Sequence, residues 1–374
     1  MKLSGAKDQS YMRLAIKEAR KGLGRTSPNP SVGAVIVKDN EVVARGYHKK
    51  AGTPHAEINA LAAAGELAKG ATMYVTLEPC NHFGRTPPCS QALVKAGIDR
   101  VVVGMLDPNP LVAGSGIAHL KEHGISTMTG ILEEDCHDLN RPFIKYITRS
   151  IPWVILKAGV SLDGKLSFVR GRGGAVTGPE SHRAVHRLRN RVDAILIGRS
   201  TQEIDNPSLT TRLPGRKGRD PVRVFLDSNL IISESAKILH LTSEAPTILF
   251  TQKNVDAKKV ARLVAQGVQV EMVPVDSGGG LSLKSVLRNL GERGITSVLV
   301  EGGSRVHGSF LRYHLIDEVQ LFYAPVFAGD NGVSLLSGLS VDGGRKDAIT
   351  LERIKVRRYG DDVMISGLIS TDRH

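Results

Sequence analysis

Apolar and polar positions alternate along this chain in two rhythms. Over residues 8–22, Tyr11, Leu14, Ala15 and Ala19 recur at helical spacing, which predicts a helix with one apolar face. AVIVK and EVVARGY are short apolar runs separated by Asp39-Asn40, the pattern of two strands joined by a tight turn. HAEINALAAAGELAKG then reads as a helix, ATMYVTL as a strand, PPCSQALVKAG as a helix and RVVVGML as a buried strand. LVAGSGIAHLKEHG, ISTMTG and ILEEDCHDLNRPFIKYI predict a helix, a short strand and a last helix. This alternation predicts a self-contained α/β domain over residues 1–147.

Ser150-Ile151-Pro152 marks a boundary, because a residue preceding proline is pushed out of helical space. A second domain is expected over residues 151–374. PWVILKAGVS, DAILIG, PVRVFLD, PTILFT and TSVLVEGG read as its strands. SHRAVHRLRNRV, KKVARLVAQG, LKSVLRNLGERG and SRVHGSFLRYHLI read as its helices, and DEVQLFYAPVFAG as a final long strand. Strands alternating with helices predict a mostly parallel sheet. No internal repeat relates the two halves.

Charge changes this picture in one place. Of the net +13, residues 1–150 carry 19 basic and 14 acidic side chains, residues 151–223 carry 14 and 6, and the remainder balances. A positive field concentrated in one central stretch attracts nucleic acid or the phosphates of small ligands. Aromatic residues make up only 4% of the chain, which argues against a platform of stacked bases. The 374 residues include three cysteines, too few for a disulfide framework and consistent with a reducing compartment. The N-terminal segment lacks an apolar signal core and no run reaches membrane-spanning length, so a cytoplasmic protein with no membrane partner is expected.

The chemistry lies in GTPHAEINAL and TLEPCNHFGRTPPC. His55, Cys80 and Cys89 are nitrogen and sulfur donors of the kind zinc prefers, and three protein ligands leave a fourth position open. Glu57, two residues from His55 at the start of a helix, is placed to move protons without being a ligand. His55-Ala56-Glu57 and Pro79-Cys80 match the H-x-E and P-C portions of the zinc base-deaminase pattern. The second cysteine follows after eight residues rather than two, which brings His82 and Arg85 beside the pocket. Cys136 stands apart and reads as core.

NPSVGAVIV, GYHKKAGTPHAE, YVTLEPCNHFGRTPPC and DPNPLVAGSG together resemble the deaminase half of the bifunctional riboflavin biosynthesis deaminase/reductase family. LKAGVSLDGK, RVDAILIGRSTQEIDNPSLTTR, PVRVFLDS and VEGGSRVHGSFL resemble its reductase half. The resemblance implies a cytidine-deaminase-like α/β/α sandwich followed by a dihydrofolate reductase-like α/β domain. It implies one Zn2+ per deaminase domain, held by His55, Cys80 and Cys89, with Glu57 catalytic. Asn29, His48, His82, Arg85 and Asn109 are then its contacts with a phosphorylated pyrimidine.

In the reductase half the resemblance implies NADPH at Gly159, Ala175, Thr201, Asp205, Ser228 and the turn Gly302–Ser309, which includes Gly303, Ser304, Arg305, Val306, His307 and Gly308. Lys157, Asp205 and Glu301 are implied as catalytic. Gly173, Arg189, Leu209, Arg212 and Glu301 are implied on the substrate side. A Gly-rich turn opening a helix suits a phosphate in any case. Arg189 and Arg212 fall within the basic stretch and give its charge a purpose. The chain departs from the family pattern at Gly173, where a small polar residue is usual, and at Ala175, where a tryptophan is usual. A homodimer or homotetramer is implied, and no nucleic-acid partner. Two other readings fit part of the sequence: a deaminase with a degenerate reductase-like second domain, and a nucleic-acid base deaminase.

Overall fold

The computed structural model describes residues 2–83, 87–109, 112–215 and 217–370. The chain divides into two compact units, Met1–Ser150 and Ile151–His374.

In the first unit, helix α1 (Lys2–Ala19) precedes the hairpin of β1 (Gly33–Lys38) and β2 (Glu41–Tyr47). Asp39 and Asn40 turn the hairpin with φ of 49° and 64°, the left-handed pair that a two-residue turn matched to strand twist requires. Next come α2 (Ala56–Ala64), β3 (Thr72–Leu77), α3 (Cys89–Lys95) and β4 (Arg100–Met105). The unit closes with α4 (Ser115–Glu122), β5 (Ser126–Thr129) and α5 (Glu133–Arg149). The five-stranded sheet has the order β2-β1-β3-β4-β5. Its hairpin side is antiparallel and β3, β4 and β5 are parallel.

Strands β1, β3 and β4 are buried almost throughout, as strands covered by helices on both faces must be. Gly46 allows one close approach: a Cβ there would collide with the Ala56 carbonyl and the Ala60 amide of α2. A polar clamp fixes α1, with Arg100 donating to both Asp8 oxygens at 3.1 and 2.9 Å and the Tyr74 hydroxyl donating to Asp8 at 2.7 Å. Cys136 is fully buried in this core against Gly104.

The second unit runs β6 (Trp153–Val160), β7 (Lys165–Ser167), α6 (Pro179–Arg189), β8 (Ala194–Gly198), α7 (Arg199–Asp205) and β9 (Val222–Leu226). It continues with β10 (Thr247–Thr251), α8 (Ala257–Ala265), β11 (Gln269–Met272), α9 (Leu283–Glu292), β12 (Ser297–Val300) and α10 (Ser304–Arg312). Last come β13 (Glu318–Tyr323), β14 (Val333–Ser334), β15 (Leu351–Tyr359) and β16 (Asp362–Ile369). The nine-stranded sheet has the order β11-β10-β9-β8-β12-β6-β13-β16-β15. Its first seven strands are mutually parallel, and β16 and β15 add an antiparallel edge.

Sequence pattern placed the last strand at β13, and the structure corrects this: the β15–β16 hairpin follows it. Most of β15 is exposed and five of its nine side chains are charged, so it shows no buried apolar run, as edge strands often do not. The short elements α7 and β11 also escaped the pattern. Phe250 and Phe310 are fully buried in one core cluster, and Phe225 is fully buried in a second. Each such side chain contributes about 1.5–3 kcal/mol relative to exposure.

Candidate active sites

In the first unit α2 begins immediately after His55, its N-cap residue, and α3 begins at Cys89. The two helix starts and the end of β3 thus converge. Cys80 Sγ lies 3.6 Å and Cys89 Sγ 3.3 Å from His55 Nδ1, and the Cys89 N–H donates to Cys80 Sγ at 3.4 Å. All three donor atoms lie within 4.8 Å of one another. Bonds of about 2.0–2.3 Å at tetrahedral angles produce such separations, so the donor set fits a zinc ion with one position open.

Close packing makes these groups compete for protons. The Cys89 hydrogen bond, then that of His55, drives Cys80 down to about 4 against its burial, while Cys80's proximity and burial drive Cys89 upward. His55, Cys80 and Cys89 would hold a divalent cation there, which would favour the thiolate form of both sulfurs.

Glu57 is 3% exposed on the first turn of α2. Burial, with the nearby Cys80, raises its carboxyl to about 7. His48 is also buried and packs edge-on to His55 at 5.3 Å. Asn29 Nδ2 donates to His48 Nε2 and His48 Nδ1 donates to the Pro54 carbonyl, each at 3.2 Å. That bonding fixes the neutral tautomer. Burial lowers its pKa further, and the His55 charge adds to the effect. His82 is exposed. The Asn109 amide donates to Asp107 at 2.9 Å. The Asp107 carboxyl is raised mainly by burial and senses Glu78, His82 and Cys80. Arg85 lies outside the described residues.

The second unit gathers its chemistry where β12 ends between β8 and β6. Strand order reverses there, and open α/β sheets commonly bind ligands at such a point. Arg189 grips Glu301 with Nε at 2.8 Å and a second nitrogen at 2.9 Å, and donates to the Thr210 carbonyl at 3.3 Å. Lys157 Nζ donates to Glu301 at 3.5 Å. Burial would raise Glu301, but the two cations outweigh it and hold the carboxyl at about 2. Lys157 is lowered by its own burial despite Glu301.

Sequence reasoning overlooked His182 and His186. They share a face of α6 with Arg189 at i, i+4 and i+7, and that spacing is the signal that could have found them. The His186 ring accepts the Arg212 amide at 3.2 Å and is held at about 4 by burial and by the charges of Arg189 and Arg212. His182 is lowered likewise, by burial and then Lys157. The pocket therefore carries a surplus of positive charge, suited to a phosphorylated substrate. Arg212 is exposed, and a depression of about 600 Å³ opens beside it.

Leu209 is buried with a φ of 52°. Asp205 ends α7, with its carboxyl raised by desolvation. A Cβ at Gly173 would collide with Asp205 Oδ1, so the Asp205 carboxylate fills the volume of the missing side chain. Ala175 is exposed. Gly159 faces Thr177, and Gly303 lies close to Thr201 Oγ1. Ser228 follows β9 and its carbonyl accepts from Thr251 at 3.0 Å. Only the start of the Gly302–Ser309 segment is a turn, because α10 begins at Ser304. Arg305 points to solvent, Val306 packs against Gly302 and Gly198, and His307 and Gly308 turn inward. His307 is 1% exposed and burial holds it at about 4.

The family model for the cytidine and deoxycytidylate deaminase zinc-binding region matches residues 6–105, and that for the RibD C-terminal domain matches residues 152–365. The riboflavin biosynthesis protein RibD of Aquifex aeolicus is 44% identical over 361 residues, 96% of this chain and 97% of its own. That of Escherichia coli is 38% identical over 371 residues, covering 96% and 98%. Among solved structures, Acinetobacter baumannii RibD superposes with a TM-score of 0.88 at 35% identity, covering 98% of this chain and 100% of that one. A diaminohydroxyphosphoribosylaminopyrimidine deaminase/5-amino-6-(5-phosphoribosylamino)uracil reductase from Thermotoga maritima reaches 0.86 at 37% identity with the same coverage. A zinc-binding deaminase unit is thus joined to a reductase unit that uses NADPH, and the chain belongs to the RibD family of bifunctional deaminase/reductases of riboflavin biosynthesis.

Proposed function

We propose that the first unit hydrolyses the 2-amino group of 2,5-diamino-6-(5-phosphoribosylamino)pyrimidin-4(3H)-one and releases ammonia. The second unit then reduces the ribosyl chain to give 5-amino-6-(5-phosphoribitylamino)uracil. The observation that carries this reading is the convergence of His55, Cys80 and Cys89 beside buried Glu57. Zinc held there supplies the Lewis acidity that makes water nucleophilic at neutral pH. Glu57 takes a proton from that water and passes one to the departing amine. His48, held by Asn29 and Pro54, orients the pyrimidine together with Asn29 and Asn109, and His82 meets its phosphate side.

In the second unit NADPH supplies the hydride. Gly159, Ala175, Thr201, Ser228, Gly303 and the first turns of α10, Ser304 to Ser309, form its bed. Lys157, Asp205 and Glu301 surround the reacting ribosyl carbon. Arg189 and Glu301 fix Lys157, and Arg212 meets the substrate phosphate, with Leu209 and Gly173 shaping the pocket. To test both halves, ammonia release from the diaminopyrimidine is measured first. NADPH oxidation is then followed with the deaminated substrate supplied directly. Ammonia release without substrate-dependent oxidation would favour the deaminase-only reading that Gly173 and Ala175 invite.

We also propose a cytoplasmic homo-oligomer. Ile354 and Val356 on edge strand β15 are 58% and 64% exposed, and Phe327 is 76% exposed. Apolar groups on an unpaired edge suit a second copy of the chain. Among the described residues, no helix is long and apolar enough to cross a membrane. Light scattering of the intact chain tests the assembly: a monomeric mass at micromolar concentration would count against it.

A further inference from the structure

One buried carboxylate of the deaminase unit has no part in the chemistry above. Glu78 is 3% exposed and accepts four backbone N–H groups. Its Oε2 takes those of Asp107 at 3.2 Å and Gly114 at 3.0 Å, and its Oε1 those of Gly116 at 3.0 Å and Ile117 at 3.2 Å. The Glu78 amide donates to the Met105 carbonyl at 3.0 Å. Gly116 seats α4 so closely that a Cβ would collide with the Pro79 carbonyl. A carboxylate has about four lone-pair sites, and here all four are used on main chain. The connection continues outward, because Asp107 accepts the Asn109 amide at 2.9 Å and senses the charges of Cys80 and His82.

We propose that Glu78 is a positioning residue for the deamination. It ties Asp107–Asn109 and the start of α4 to the strand end that carries Cys80, so Asn109 is presented to the pyrimidine in a fixed register with the metal ligands. The inference rests on the reading of Asn109 as a substrate contact. Ordering this segment in advance spares the substrate that entropy on binding. Replacing one oxygen by an amide nitrogen sets an NH2 against two N–H donors and releases one side of the clamp.

The test compares Glu78→Gln, Asn109→Ala and the double variant in the full chain, measuring zinc content, ammonia kinetics and NADPH oxidation on the deaminated substrate. Glu78→Gln is expected to keep its zinc and its reductase rate, and to raise the deaminase KM about tenfold or more with kcat little changed. The double variant is expected to be little worse than the worse single one, because both act on one contact. A KM unchanged in Glu78→Gln but raised in Asn109→Ala would overturn the positioning role alone. No effect in Asn109→Ala would sink the contact assignment instead. Additive effects, or zinc loss at unchanged KM, would overturn positioning in favour of a structural role. Amide hydrogen exchange of the wild type covers the case in which the variant fails to fold. Asp107, Gly114, Gly116 and Ile117 are expected to be protected without substrate, and fast exchange that slows only on binding would refute the proposal.

Discussion

At the residue scale, the two sites use buried carboxylates in opposite ways. Glu57 sits beside Cys80, His55 and Cys89, and burial raises it to about 7. Glu301 is enclosed by Arg189 and Lys157 and is held at about 2. Glu57→Gln preserves shape and removes the proposed proton acceptor, so zinc content should be unchanged and ammonia release should fall by about a hundredfold or more. Retained turnover in a discontinuous ammonia assay would contradict the role. Glu301→Gln leaves two largely buried cations facing a neutral amide. Breaking such a group by removing one partner costs about 3–5 kcal/mol. Denaturant titration should show that loss in the second unit together with a lost NADPH oxidation. His307 supplies a pH dependence. Its folded pKa lies below the ordinary 6.5, so its contribution is complete above pH 6.5 and declines as pH falls toward 4. Thermal midpoints of the second unit should drop over that interval, and a flat profile there would count against a neutral buried His307.

At the element scale, helix α2 reaches the metal ligands only because β2 offers it a glycine. Gly46→Ala should push α2 off the sheet, lowering zinc content and ammonia release while NADPH oxidation persists. Equal losses in both activities would argue against so local an effect. The same scale explains what was legible beforehand. His55, Glu57, Cys80 and Cys89 sit at helix and strand ends whose patterns are strong, and their chemistry is recognisable residue by residue. Glu78 lies within the same motif, but its value appears only when residues some 30–40 positions away in the chain fold over it. His182 and His186 became meaningful once α6 faced Lys157 and Arg189. The hairpin of β15 and β16 stayed hidden because an edge strand need not bury its side chains. Gly173 read as a loss, whereas the fold places the Asp205 carboxylate in the vacated volume.

At the scale of the whole molecule, each unit has its own sheet, its own core and its own reactive cluster. Chelation should therefore abolish ammonia release while NADPH oxidation with deaminated substrate continues, and restoring zinc should recover the first activity. Loss of both on chelation would mean the metal supports more than the deaminase unit.

The strand order of the second sheet also has a consequence during synthesis. Strand β6 is made first in its unit, yet its partners are β12 and β13, which lie at Ser297–Val300 and Glu318–Tyr323. At roughly 5–20 residues per second, an emerging WVILKAGV segment waits on the order of ten seconds or more for its first neighbour. Until then an apolar strand with two open edges is exposed to other nascent chains and to proteases. Ribosome-bound chains halted before residue 297 should thus be cut readily after residue 150 while the first unit resists, and chains released beyond residue 323 should be protected throughout.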